Sequence, residues 1–112
     1  MTDENVIYLD NDKVFQKDVE TPNDAGEYAP ATGLAGLTVT VSLTKGGAGL
    51  TSLTDLPMTE RTGQPGRYFA IGDGAAFRTQ LAGQVDKTVF VRYQLPGDLR
   101  VWEEYTVREF RS

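Results

Sequence analysis

Between residues 37 and 44 the chain alternates without a fault: Leu37, Val39, Val41 and Leu43 are apolar, while Thr38, Thr40, Ser42 and Thr44 are polar. Successive side chains of a strand point to opposite faces, so a period of two specifies a strand with one buried and one wet face. Lys45-Gly46-Gly47-Ala48-Gly49 breaks the pattern, because glycine reaches backbone angles that let the chain turn back in a hairpin or a flexible tip. The same grammar recurs. Tyr68-Phe69-Ala70-Ile71, set between Thr62-Gly63-Gln64-Pro65-Gly66 and Gly72-Asp73-Gly74, reads as a central strand. Thr88 to Gln94 alternates again before Leu95-Pro96-Gly97-Asp98 closes a hairpin onto a last strand, Leu99 to Phe110. On that strand Glu103 interrupts the set Leu99, Val101, Tyr105 and Val107, which predicts a kink or bulge near Trp102 and Glu103. Leu50 to Glu60 alternates poorly and carries Pro57, so any strand there belongs on a sheet edge. Phe77 and Leu81, four apart in Ala75 to Leu81, predict a short helical or 3-10 connection.

A chain of 112 residues has room for one core. Its 12 Gly and 5 Pro agree with a turn-rich, many-stranded architecture. Five to seven short strands within the last 80 residues predict an all-β, antiparallel Ig-like β-sandwich with an N-terminal extended arm, a jelly roll or small barrel being the alternative closure. Residues 1–33 are read as the arm and residues 34–112 as the sandwich. In the arm, Val6-Ile7-Tyr8-Leu9 is an apolar patch followed by Val14-Phe15, and Thr21 to Gly33, with Pro22 and Pro30, reads as a loop. The arm either supplies the first strands of the sandwich, the favoured reading, or adds a strand to a neighbouring chain. An uncovered Val-Ile-Tyr-Leu patch would invite aggregation.

Charge follows the same division. Residues 1–30 carry eight acids and two bases, a charge of −6, and the remainder carries +1. Phosphate backbones and anionic lipid repel such a segment, which argues against nucleic acid and membrane partners. No apolar run approaches the roughly 20 residues that span a bilayer, and the start of the chain lacks a signal-peptide pattern, so a soluble protein made in a cytoplasm is expected.

Histidine and cysteine are absent, which removes the usual agents of neutral-pH proton transfer, thiolate chemistry and transition-metal binding. What could remain is carboxylate chemistry. Glu103-Glu104 are neighbours on a strand and face opposite ways, so they cannot flank one bond, and Glu60 with Asp55 is the other available pair. Asp10-Asn11-Asp12 lacks the glycine and distal glutamate of a calcium loop, and Gly46-Gly47-Ala48-Gly49 lacks the Lys-Ser/Thr of a phosphate cradle. No catalytic residue, metal site or cofactor is therefore assigned. Trp102, Phe90 and Phe110 fall opposite the core positions of their strands, where flat side chains make a contact surface, the competing reading being that Trp102 is a core residue.

Gly36-Leu37-Thr38-Val39-Thr40-Val41, Met58-Thr59-Glu60-Arg61, Pro65-Gly66-Arg67-Tyr68, Leu81-Ala82-Gly83 and Val89-Phe90-Val91-Arg92-Tyr93 together resemble the small Ig-like domains of tailed-bacteriophage virion proteins. The resemblance spans residues 34–110 and implies a structural protein of the capsid decoration or cement type, assembled in the host cytoplasm and resident in the virion. A head-tail or tail component, or a carbohydrate- or host-surface-binding module, are the alternatives. Partners would be the major capsid protein, other virion proteins or further copies of the chain. The expected contacts are Val6, Ile7, Tyr8, Leu9 and Phe15 of the arm, Gly46, Gly47 and Gly49 of the tip, and Trp102.

Overall fold

A computed structural model describes residues 5–22, 24–96 and 99–109. Its strands are β1 (Val6–Tyr8), β2 (Lys13–Asp18), β3 (Glu20–Pro22), β4 (Tyr28–Pro30), β5 (Thr38–Ser42), β6 (Leu56–Pro57), β7 (Thr59–Glu60), β8 (Arg67–Gly72), β9 (Thr88–Leu95) and β10 (Leu99–Arg108), with an α-helix, α1 (Gly74–Leu81), and a 3-10 turn (Ala82–Gln84) before β9. They form a five-stranded sheet in the order β1-β10-β9-β5-β6, a three-stranded sheet β2-β8-β7, and a separate hairpin, β3-β4. All pairings are antiparallel except β1 on β10. The chain is thus mostly β.

The alternating segment becomes β5, and Leu37, Val39 and Val41 are buried as its period requires. Thr40 and Ser42 are buried as well, because the chain after β5 folds back over their face: Ser42 Oγ donates to Gly47 O and Thr40 Oγ1 accepts from Asp55 N. Leu43 is left exposed. Pro57 lies on the edge strand β6, and one residue later the chain crosses to β7 at the edge of the other sheet. Met58, between them, is buried and bonds Leu37 O, so this side of the molecule is closed by a covalent crossover.

Two expectations are corrected. The last strand has no bulge: its register on β9 runs unbroken from Leu99↔Leu95 to Thr106↔Thr88. Glu103 keeps its inward position because Lys17 of β2 forms a salt bridge with it from the facing sheet. The segment read as a loop between Thr21 and Gly33 contains the β3-β4 hairpin, in which Glu20 opposes Pro30 and Pro22 opposes Tyr28.

The core is shared by the whole chain. Residues 6–18 give one strand to each sheet, β1 and β2, so the chain before residue 33 and the chain after it bury the same apolar surface. Phe15 of β2 sets its ring edge-on to Phe77 of α1 at 6.3 Å and to Tyr105 of β10 at 5.7 Å, which joins the sheets and the helix. Tyr68 is fully buried, donates from its hydroxyl to Ala31 O at 2.6 Å and accepts from Leu34 N at 3.1 Å, tying down the chain that leaves the hairpin.

Helix α1 begins where Asp73 caps it, accepting from Ala75 N. Its first residue, Gly74, abuts the turn between β1 and β2. Asp12 Oδ1 accepts from Gly74 N at 2.8 Å, and Asp10 N donates to Gly74 O at 3.2 Å. Arg78, further along, bridges Asp10 and Glu109 and so holds the helix to the neighbouring C-terminal ends of β1 and β10.

Glu60 performs a similar service at the other end. Its two carboxylate oxygens accept from Gly33 N at 3.0 Å and Gly66 N at 2.9 Å, and those two backbone donors hold its pKa below the ordinary value of 4.5. Asp18 and Asp10 are lowered in the same direction, chiefly by hydrogen bonds from Arg67 and Arg78. A carboxylate with a depressed folded-state pKa stabilises the fold fully above its unfolded pKa, and that contribution is lost as pH falls through the folded value. Urea midpoints are therefore expected to fall steeply below about pH 4. In the Glu60→Gln variant the drop between pH 7 and pH 3 should be smaller than in the wild type, and an equal drop would show that Glu60 does not contribute to it.

Candidate functional site

The outer face of the five-stranded sheet is built from alternate residues of β5, β9 and β10. Register places Trp102 opposite Arg92, and Arg92 opposite Thr40, in one row across three strands. The next row is Glu104, Phe90 and Ser42. Trp102, Arg92 and Phe90 are all half-buried, so each keeps part of its surface toward solvent while its neighbours fix its position.

Arg92 is the most constrained of the three. Its Nη2 donates to Thr40 Oγ1 and to Asp55 Oδ1, both at 3.3 Å, and its guanidinium carbon lies 6.0 Å from the centre of the Trp102 ring. Asp55, in the loop before β6, is held for this contact by donating its own N–H to Thr40 Oγ1 at 2.8 Å. Arg92 Nε is buried and has no hydrogen-bond partner among the described residues. A tryptophan and an arginine held beside each other on a sheet face lose little freedom when a partner covers them, the condition under which these side chains dominate binding energy.

A different chemistry occupies the side of the molecule where β2 and β10 lie. Here a groove of about 410 Å³ opens between the sheets, lined by Asn5, Lys13, Gln16, Lys17, Glu103 and Tyr105. Lys17 pairs with Glu103 and sits with its Nζ 4.9 Å from the Tyr93 ring centre. The Tyr93 and Tyr105 hydroxyls are 3.2 Å apart, and burial with that contact pushes the Tyr93 hydroxyl far up. Tyr93 therefore stays protonated at neutral pH, and Glu103 is engaged by a cation. Neither is poised to take a proton from a bound molecule.

The remaining candidates separate cleanly. Glu103 faces inward and Glu104 is exposed on the outer face, as neighbours on an unbroken strand must be. Glu60 is bound to Gly33 and Gly66, whereas Asp55 is bound to Arg92 and Thr40, so the two do not form a pair. Asp10 and Asp12 are engaged by Arg78 and by Gly74 N, and no group of three or more metal-ligating side chains occurs among the described residues.

Of the expected contact residues, Ile7, Leu9 and Phe15 are fully buried and cannot meet a partner; their apolar pattern reflects the chain's own core. Val6 and Tyr8 are half-buried on β1. The glycine tip divides likewise. Gly46 is exposed with a φ of 80°, but a Cβ on Gly47 would fall 2.2 Å from Thr44 Oγ1, and one on Gly49 would fall 2.3 Å from Thr54 Oγ1 and 2.6 Å from Thr40 Cγ2. Gly47 and Gly49 are thus glycines because the loop packs against itself and the sheet. Trp102 and Phe90 lie on the outer face, opposite the core, as the strand parity predicts; Phe110 is outside the described residues.

A patch that sequence reading passed over lies on the outer face of β2 and β8. Val14 and Ile71 oppose one another across the strands and are 44% and 54% exposed. Beside them Phe69 carries the Arg61 guanidinium 4.3 Å above its ring, and Arg61 Nε donates to Gln16 Oε1 at 2.6 Å. The sequence carries no alternation to announce it, because the continuous apolar run Tyr-Phe-Ala-Ile reads as a strand buried on both faces. Among the described residues no helix is long and apolar enough to cross a membrane. No protein-family model matches the chain, nor does any curated protein or solved structure.

Proposed function

We propose that this chain is a non-enzymatic virion structural protein of the capsid decoration or cement type, which docks on the assembled shell through the outer face of its five-stranded sheet. The observation that carries the docking is Trp102, half-buried on a sheet face with Arg92 fixed beside its ring and Phe90 in the adjoining row. Tryptophan and arginine are two of the residue types most enriched among those that carry binding energy.

The strand order supports an Ig-like scaffold. Sheets ordered β10-β9-β5 and β2-β8-β7 correspond to the G-F-C and B-E-D strands of that sandwich, joined by a crossover between the sheets. Asp10, Asp18 and Glu60 are each engaged within the chain, by Arg78, by Arg67 and by the backbone N–H groups of Gly33 and Gly66, so their charges serve the fold.

The test is co-sedimentation of the purified protein with virions and with isolated shells, followed by identification of the subunit it touches. Binding to the shell is expected, with Trp102→Ala weakening it by at least about tenfold while the thermal midpoint stays close to that of the wild type. Recovery with a head-tail or tail protein would move the role along the particle. Failure to sediment with any virion component, together with selective binding on a glycan array, would replace this reading by a carbohydrate-binding one.

A further inference from the structure

The β3-β4 hairpin belongs to neither large sheet, and its strand residues are exposed throughout except Ala29. Residues 20–30 carry Glu20, Asp24 and Glu27 and not one lysine or arginine. Tyr28 projects from it at 71% exposure, the highest of any large apolar side chain described. Val19 N donates to Gly66 O and so ties the base of the hairpin to the body, and Ala31 N donates to Val19 O across that base. Pro22 and Pro30 remove backbone donors from its strands, so it is suited to contact through side chains and not through strand addition.

The outer face of β2 and β8 has the complementary character. Its centre is Val14, Ile71 and Phe69, and its charges are the Asp18–Arg67 pair, which cancels, and Arg61, whose contacts are the neutral Gln16 and Phe69. On a molecule of net charge −5 this face carries one positive charge around an apolar centre. An exposed tyrosine on an acidic hairpin matches that surface in both polarity and sign. We propose that a second copy of this chain occupies it, seating its acidic, Tyr28-bearing hairpin on Val14, Phe69, Ile71 and Arg61.

Such a contact joins two different surfaces, so each copy retains one unsatisfied hairpin or face, and copies add head to tail until a ring closes or the supply ends. This contact is distinct from the Trp102 face, and Trp102→Ala leaves it unchanged.

The test is sedimentation velocity over a concentration series reaching about 1 mM, where weak contacts become populated. The wild type is expected to shift to larger species with concentration. Ile71→Glu destroys the face and the double variant Asp24→Lys/Tyr28→Ser destroys the hairpin, and each alone stays monomeric. Val14→Glu serves as a second face variant; the altered side chains are solvent-exposed, so circular dichroism should match the wild type. Mixed one to one, the Ile71→Glu and hairpin variants still hold one good hairpin and one good face between them, and they form a dimer that grows no further. A wild type that remains monomeric throughout, a single-surface variant that associates like the wild type, or a mixture that stays monomeric would each overturn the proposal.

Discussion

Phe15→Ala is expected to destabilise the protein by about 3–5 kcal/mol, the range for removing a large aromatic from a packed interior. The side chain is fully buried and touches the rings of both Phe77 and Tyr105, so the cavity would open where the two sheets and the helix meet. Single domains have about 5–15 kcal/mol of total stability, and the loss would leave the variant partly unfolded at moderate temperature. Urea denaturation followed by tryptophan fluorescence measures it directly. A variant as stable as the wild type would contradict the position of β2 in the core and return Phe15 to the surface, where its sequence context alone could put it.

Gly74→Ala is expected to be destabilising by about 3 kcal/mol, at the upper end of the range for overpacking. Its sign is the informative part. Glycine within a helix is normally worse than alanine by roughly 1 kcal/mol, so propensity alone predicts a gain. At Gly74 an added Cβ would lie 2.5 Å from the backbone carbon of Asp10 and 2.7 Å from backbone atoms of Asn11. Backbone cannot rotate away as a side chain can, and the displaced turn also carries the carboxylate of Asp12 that caps Gly74 N. Thermal and urea midpoints of the variant decide between the two. A stabilised variant would mean that α1 does not abut the β1-β2 turn.

Much of the architecture is legible in the sequence because it depends on local patterns. The alternation of residues 37–44 marks β5, Pro57 marks an edge, and the spacing of Phe77 and Leu81 marks the buried side of α1. The parts that are not legible depend on partners distant in the chain. Glu103 looks like an interruption until Lys17, 86 residues away, is brought opposite it. Val6 to Leu9 is favoured by its sequence as a strand of this fold over one added to a neighbouring chain, but the strand it pairs with, Thr106 to Arg108, lies at the other end of the chain. The β3-β4 hairpin has only three residue pairs and a proline in each strand, too little pattern to separate it from a loop. The contact surface is legible in part. Strand parity puts Trp102 and Phe90 on the same face, but what fixes Arg92 beside Trp102 is Asp55, supplied by a loop with no periodicity to announce it.

The polar groove beside β2 and β10 bears on what happens when many copies are crowded together. Among the described residues, β2 has a strand partner only on its β8 side, and β10 from Leu99 to Tyr105 has one only on its β9 side. Unpaired edges of this kind are templates for amyloid-like growth, and crowding would favour it. Lys13, Lys17 and Glu103 all point into the gap between those edges, so a strand arriving from another molecule would have to strip water from fixed charges before making its first backbone bond. The chain can therefore be concentrated at a surface and still keep its neighbours at the distance of side-chain contact.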